Sequence, residues 1–281
     1  MQRSLKKYAP LFVFPTTVAF LIAFLVPFAI GLYLSFAEFT TIADAEFVGL
    51  KNYQRALQNP DDFIGAFGFT ALVVIVSMIT VNIFAFVIAR LLTQKLRGTN
   101  VFRTIYFMPN LIGGIVLGYT WQSIINAMLA NYGTTIVSNW EYGYLGILIM
   151  LNWQQVGYMM VIYIAGLQAV PPELIEAAQI DGAGGWQVLR NVTIPMIMPT
   201  ITICLFLTLS NGFKLFDQNL ALTNGAPLGQ TEMVALNIFK TMFGRVGTEG
   251  VGQAKAVMFV IVVVTIALFQ LRATRSQEVE A

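Results

Sequence analysis

Apolar residues run along the chain in long uncharged windows separated by short charged segments, a coarser pattern than that of a surface helix or an alternating strand. Crossing about 30 Å of hydrocarbon takes roughly 20 apolar residues. Six windows reach or approach that length: Tyr8 to Ala37, Phe63 to Ala89, Thr104 to about Ala127, Tyr142 to about Gln168, Asn191 to Phe213, and about Val251 to Leu271. Lipid offers backbone groups no hydrogen-bond partner, so each window predicts a helix. The expected fold is an all-α integral membrane protein, one transmembrane domain of six helices over residues 1–281. The sixth window is the weakest. Its uncharged part, Ala256 to Leu271, covers only about 24 Å at 1.5 Å per residue, which places Lys255 in the first turn, snorkelling outward or facing a polar cavity. Arg3, Lys6 and Lys7 ahead of the first window resemble the start of a signal peptide, but the apolar run continues to Phe36 and reads as a retained span.

Composition agrees with the windows. Of 281 residues 57% are hydrophobic and 11% charged, against about 25% charged in an ordinary soluble domain. A net charge of +2, scattered along the chain, lacks the clustered Lys and Arg that nucleic acid demands. The chain has no His, and its single Cys, Cys204, lies in an apolar stretch. Zinc sites, disulfides and His-based catalysis are therefore not expected, and Cys204 reads as helix packing.

Positive charge sets the expected orientation, because Lys and Arg near membrane ends stay cytoplasmic. With the N-terminus inside, the inner segments hold Arg3, Lys6, Lys7, Arg90, Lys95, Arg97, Arg103, Arg190, Arg272 and Arg275. Arg90 to Arg103 carries four positive charges and no acid, whereas Glu38 to Asp62 carries five acids against two bases. Both termini are expected in the cytoplasm of a multi-pass protein of the cell membrane.

The most informative loop lies between the fourth and fifth windows and reads PPELIEAAQIDGAGGWQVLRNVTIPMIMP, Pro171 to Pro199. Pro171 and Pro172 can open a helix, and Glu173 and Glu176 then face the positive end of its dipole. That helix should reach about Asp181. Gly182, Gly184 and Gly185 permit a sharp turn, after which Trp186 to Arg190 can form a second short helix before Pro195 enters the next span. Two readings of this helix-turn-helix remain open on pattern alone: an amphipathic linker at the interface, or a docking element.

Glu176-Ala177-Ala178, Gly182 three residues later, and Val192-x-Ile194-Pro195 after nine more resemble the EAA motif of binding-protein-dependent ABC importer permeases. Asp181-Gly182-Ala183 resembles the form common in their sugar-uptake branch. Phe47-Val48-Gly49-Leu50-Lys51-Asn52-Tyr53, Arg97-Gly98 and Thr223-Asn224-Gly225-Ala226-Pro227 are also similar to this family, most closely to its maltose-type, first-permease branch. The resemblance implies a permease subunit of a sugar importer that works with a homologous second permease, two cytoplasmic ATPase subunits and an extracytoplasmic solute-binding protein. It implies that residues 171–195 form the loop coupling the permease to the ATPase. Glu176 would be an ionic anchor there, Ala177 and Ala178 would allow close approach, and Ile180, Val188 and Leu189 would pack into the socket. This chain has no G-x-x-x-x-G-K-[ST] loop, so it is expected to hold no cofactor itself, ATP and Mg²⁺ being bound by the partner ATPase.

Polar groups inside a membrane are candidates for a pathway because they are costly elsewhere. They occur at Asn152 to Tyr158 in the fourth window and at Thr208 to Asp217 around the end of the fifth. Position-matching to the maltose permease implies that Gln155, Tyr158, Thr208, Asn211, Gly212 and Leu215 face solute. Amides, hydroxyls and aromatic faces suit a neutral sugar or oligosaccharide. The competing reading of each polar residue is glue between helices, to which Asn82, Trp121 and Gln122 fall more readily. Lys214 and Asp217, three apart, are candidates for a surface pair. The rival classes are an ion-coupled secondary transporter, which needs a titratable residue in mid-span, and a membrane-embedded hydrolase, which needs a nucleophile with a base or metal. A permease for glycerol phosphate is a further alternative, although the mid-span windows lack the Arg or Lys a phosphate demands.

Overall fold

The computed structural model describes residues 13–58, 62–94 and 97–275. Helix α1 runs Val13–Leu34 with a wider π turn at Leu21–Leu25, and is followed by a two-stranded antiparallel pair, β1 (Ala37–Glu38) with β2 (Glu46–Phe47). Then come α2 (Lys51–Gln58), α3 (Phe63–Thr93), α4 (Thr99–Phe107), α5 (Gly114–Leu129), α6 (Trp140–Gln168) and α7 (Pro172–Ile180). The remainder is α8 (Gly185–Met196), α9 (Met198–Phe213), α10 (Asp217–Leu222), α11 (Val234–Gly244) and α12 (Glu249–Arg275).

Among the described residues four helices are long and apolar enough to cross a membrane, α1, α3, α6 and α12, and the number rises to six if each of two bent pairs counts as one span. The first pair joins Thr99–Leu111 to Gly114–Tyr132 at 101°, the second Gly185–Met196 to Met198–Phe213 at 69°. The third and fifth windows are thus broken helices where hydropathy predicts straight ones. The physical reason lies in the breaks: Pro109 opens a 3-10 turn over Met108–Leu111 and Gly113 is extended, while Pro195 and Pro199 flank Ile197. The first window also overshoots, because Ser35 and Phe36 turn and Ala37 pairs in β1. Its start at Tyr8 lies outside the described residues, as do Arg3, Lys6, Lys7 and Lys95.

The chain divides into two compact units, Met1–Phe63 with Ile238–Val260, and Ile64–Asn237 with Ile261–Ala281. In the first, Asn52 anchors the outer loop by donating from Nδ2 to the carbonyls of Ser35 (3.1 Å) and Ala37 (2.8 Å), and Glu38 accepts from Lys51 (3.0 Å) and Arg55 (3.2 Å). Lys255 differs from expectation. It stands six residues inside α12, fully buried, donating to Thr241 Oγ1 at 2.8 Å with its ammonium 5.5 Å from the Phe63 ring centre. The charge of Lys255 itself bounded the expected window, whereas the helix starts at Glu249; a Cβ on Gly252 would come within 2.8 Å of Met242 Cβ.

The second unit holds two apolar clusters, one around Phe69, Leu117, Ile147, Met150 and Leu222, the other around Val81, Met159, Met160, Ile164 and Cys204. Cys204 is packing, as its sequence context predicts. Gly157 is where α6 meets α4 most closely: a Cβ there would overlap the Tyr106 carbonyl, so only glycine permits the approach.

Candidate functional site

The 171–195 loop is built from its capping chemistry. Pro172 sits at the start of α7, where no N–H is needed, and Glu173 lies in its first turn. Gly182 ends the helix with φ +84°, a left-handed conformation that glycine adopts without penalty. Around it the Ala183 N–H donates to Ala178 O (2.9 Å) and the Gly182 N–H to Gln179 O (3.0 Å), the paired bonds of a Schellman cap. The Gln187 side chain then accepts from the Gly184 N–H at 2.7 Å and starts α8. Contrary to expectation, α8 is not a separate short helix. It continues through a π turn at Leu189–Thr193 to Met196, so Pro195 lies within it and the second arm of the loop is the first half of the bent span.

Glu176, Ala177, Asp181 and Gly182 are exposed on this element, with Ala178 and Ala183 half-buried. Val188 and Leu189, expected to pack into a partner, are instead buried in this chain at 6% exposure each. The apolar side chains presented outward are Leu174, Ile180 at 86% and Trp186 at 69%. A cavity of about 440 Å³ lies behind the element, where the ends of α3 and α6 meet it.

The second constellation is a polar cavity of about 240 Å³ lined by Asn110, Gln154, Gln155, Asn211, Lys214, Leu215 and Gln218. Gln154 and Gln155 lie near the midpoint of the 29-residue α6. Gln218 Nε2 donates to Gln154 Oε1 at 3.1 Å, which fixes one amide. Gln155 is 6% exposed and its Oε1 has no hydrogen-bond partner among the described residues. A buried acceptor left bare costs about 1–3 kcal/mol, so this oxygen is poised to accept a donor from a bound molecule. No acid lines the cavity.

Of the six residues expected to face solute, Gln155, Asn211 and Leu215 are brought together here. Thr208 is not. It is fully buried, donates to Cys204 O (2.8 Å) and accepts from Asn82 Nδ2 (3.2 Å), while Tyr163 donates to Asn82 Oδ1 (2.9 Å). This chain of bonds ties α3, α6 and α9 together. Gly212 packs against Val74, and Tyr158 packs half-buried against the second apolar cluster. Gln122 donates to Leu222 O (2.8 Å) and Trp121 meets Trp153 edge-on, so they join elements as expected. Lys214 does not pair with Asp217; the chain breaks between them and Lys214 turns to the cavity. The sequence reading missed Asn110 and Gln218 as lining residues, and held Gln154 only as part of the polar run Asn152 to Tyr158. The signal available was the juxtaposition of Asn110 with Pro109 and Gly113, a polar residue at a helix break.

A third feature is the loop after α10. Asn219, fully buried, donates to Thr223 Oγ1 (3.0 Å) and Thr231 O (2.8 Å) and accepts from the Met233 N–H (2.9 Å). These bonds hold Thr223–Thr231 as a rigid projection with Asn224 exposed and Leu228 98% exposed at its tip.

Residues 99–277 match the family described as binding-protein-dependent transport system inner membrane component. The chain is 41% identical over 278 residues to the probable starch degradation products transport system permease protein AmyD of Thermoanaerobacterium thermosulfurigenes, covering 96% of this chain and 94% of that protein. It is 28% identical to the trehalose/maltose transport system permease protein MalF of Thermococcus litoralis, at 96% and 94% coverage. Its fold is similar to a chain in the crystal structure of a bacterial ABC transporter involved in the import of the acidic polysaccharide alginate, with TM-score 0.81, 22% identity and 98% of each chain covered.

Proposed function

The chain belongs to the binding-protein-dependent transport system inner membrane components, and from that membership we propose that it is the permease subunit of an ATP-driven importer of neutral sugars or oligosaccharides. It is a transport component, not an enzyme. Hydrolysis of ATP, with its Mg²⁺, falls to two cytoplasmic ATPase subunits, and the remaining partners are a second homologous permease and an extracytoplasmic solute-binding protein. A structure similar to this fold at 21% identity carries a periplasmic protein bound to an alginate pentasaccharide, which agrees with such an assembly.

The observation that carries this reading is the capped helix-turn-helix of residues 171–195. It presents Glu176, Ile180 and Trp186 outward at the motif spacing, while the amide-lined cavity lies elsewhere in the same unit. One element can thus take up force while the other holds cargo. The orientation proposed is N-terminus and C-terminus in the cytoplasm, with the loop at Arg90 to Arg103 inside. Malto-oligosaccharides are the first solutes to try, given the relative named for starch degradation products.

The test is solute-stimulated ATPase activity of the reconstituted complex across a malto-oligosaccharide series. Gln155→Ala and Asn211→Ala should each shift the concentration dependence several-fold, the effect of losing one hydrogen bond worth about 1 kcal/mol. Thr208→Val should instead lower the yield of assembled protein. Unchanged dependence in both cavity variants would move binding to the partner permease.

Lys214 favours a second reading. As the one cation in a cavity without acids, it suits a carboxylated saccharide, and a uronate oligosaccharide outcompeting its neutral counterpart would select that class.

A further inference from the structure

The cavity of about 440 Å³ behind the coupling loop has no part in the transport scheme above. Its place is defined by the ends of two long spans. Helix α3 has 31 residues and α6 has 29, roughly 46 and 43 Å at 1.5 Å per residue. Both exceed the ~30 Å hydrocarbon layer, so their last turns reach the headgroup zone. Those last turns supply Arg90, Thr93 and Leu167 to the lining, to which Gln94, Val170, Gln179 and Leu189 are added.

Two chemistries meet there. Leucine, isoleucine and valine side chains give the apolar part of the lining, while amides, hydroxyls and one guanidinium give the polar part. Arg90 is half-buried, and no carboxylate lies in the lining or pairs with it among the described residues. A guanidinium presents a planar donor fork that matches a phosphate in bidentate fashion, and a partly desolvated cation is stabilised by an anionic partner. The volume lies in the range of small-molecule sites.

We propose that this cavity holds the phosphate of an anionic phospholipid, with Arg90 as its ligand and the apolar part of the lining receiving the first carbons of the lipid tails. The site sits where α3, α6 and the coupling loop converge, so an occupied cavity fastens the loop to the two spans. The argument requires the chain to cross a membrane but is independent of which leaflet faces the loop.

The complex, purified with its ATPase attached, is titrated with phosphatidylglycerol or phosphatidylcholine, and lipid retention is counted by native mass spectrometry. Phosphatidylglycerol should be retained preferentially. Arg90→Gln should weaken that retention about tenfold, and Arg90→Lys should restore part of it. Gln94→Glu is an isosteric change at an exposed position, four residues after Arg90, that supplies an internal carboxylate; it should abolish the preference with the ATPase still bound. That last readout separates this site from the coupling role, whose failure appears as loss of the ATPase. Equal retention by wild type and both charge-altering variants would overturn the proposal. Displacement of lipid by millimolar inorganic phosphate would overturn the lipid assignment in favour of a soluble phosphate. Binding seen only after the ATPase is stripped away would show that the ATPase fills the cavity.

Discussion

Replacing Gly182 with Ala probes the coupling loop with the least added bulk. Nothing lies within 4 Å of a Cβ built there, so the substitution causes no clash. Its whole cost is backbone strain at φ +84°, on the order of 1–2 kcal/mol for an L-residue in the left-handed region. That corresponds to roughly a 5- to 30-fold fall in the population of the capped turn. If Ala183 and Gly182 lose their bonds to Ala178 and Gln179, α7 frays and Glu176 loses its fixed bearing relative to Trp186. Gly182→Val adds β-branching and should be worse, whereas Gly182→Asn should approach wild type because Asn tolerates this conformation. The assay is ATPase retention by affinity-purified permease, alongside uptake, each normalised to inserted protein. The order Gly, Asn, Ala, Val is the expected one. Equal ATPase retention across all four would refute the reasoning, since it would show that the docked element does not depend on this turn.

Three further outcomes follow from the structure. A Cys at Leu228 should react with an impermeant maleimide from outside intact cells and a Cys at Ile180 only after the inner face is opened; the reverse pattern would invert the proposed topology. Tyr163→Phe leaves the buried Asn82 Oδ1 without its donor, so the thermal midpoint of the purified protein should fall, by an amount reflecting about 1 kcal/mol, while solute preference stays as it was. Lys51 and then Arg55 hold the Glu38 carboxyl below its usual range, so their contribution is complete above about pH 4.5 and is lost as pH falls through the lowered value. Being exposed, the cluster contributes little at high salt, and amide exchange at residues 37–58 should rise on acidification at low ionic strength but not in Glu38→Gln.

Several features were legible because one local signal determined them. Pro171-Pro172 and Gly182 bracket α7 regardless of what packs around it, and its observed ends follow. The bends were not legible by hydropathy, because Met108 to Gly113 is as apolar as a straight helix needs to be, and only the Pro109 and Gly113 pair marks the break. Which apolar side chains of the coupling loop face outward depended on where the continuous α8 turns: Val188 and Leu189 roll inward, leaving Ile180 and Trp186. Thr208 and Asn211 lie on adjacent turns of one helix with the same polarity. Only packing against Asn82 separates the buried tie from the cavity wall. Lys255 was placed at the edge because its own charge ended the uncharged window, whereas a bond to Thr241 and the Phe63 ring let the helix carry it inside.

The break after Asn110 leaves a row of main-chain donors at the start of α5. The first N–H groups of α5, at Gly114, Ile115 and Val116, have no acceptor one turn earlier, and Gln218 packs directly against Gly114. Non-helical backbone within a membrane is tolerated only against protein or a wet cleft. The donors there belong to the main chain, so exchanging any side chain leaves them in place. A residue-by-residue replacement scan is therefore blind to these groups, which become visible only when an amide is converted to an ester.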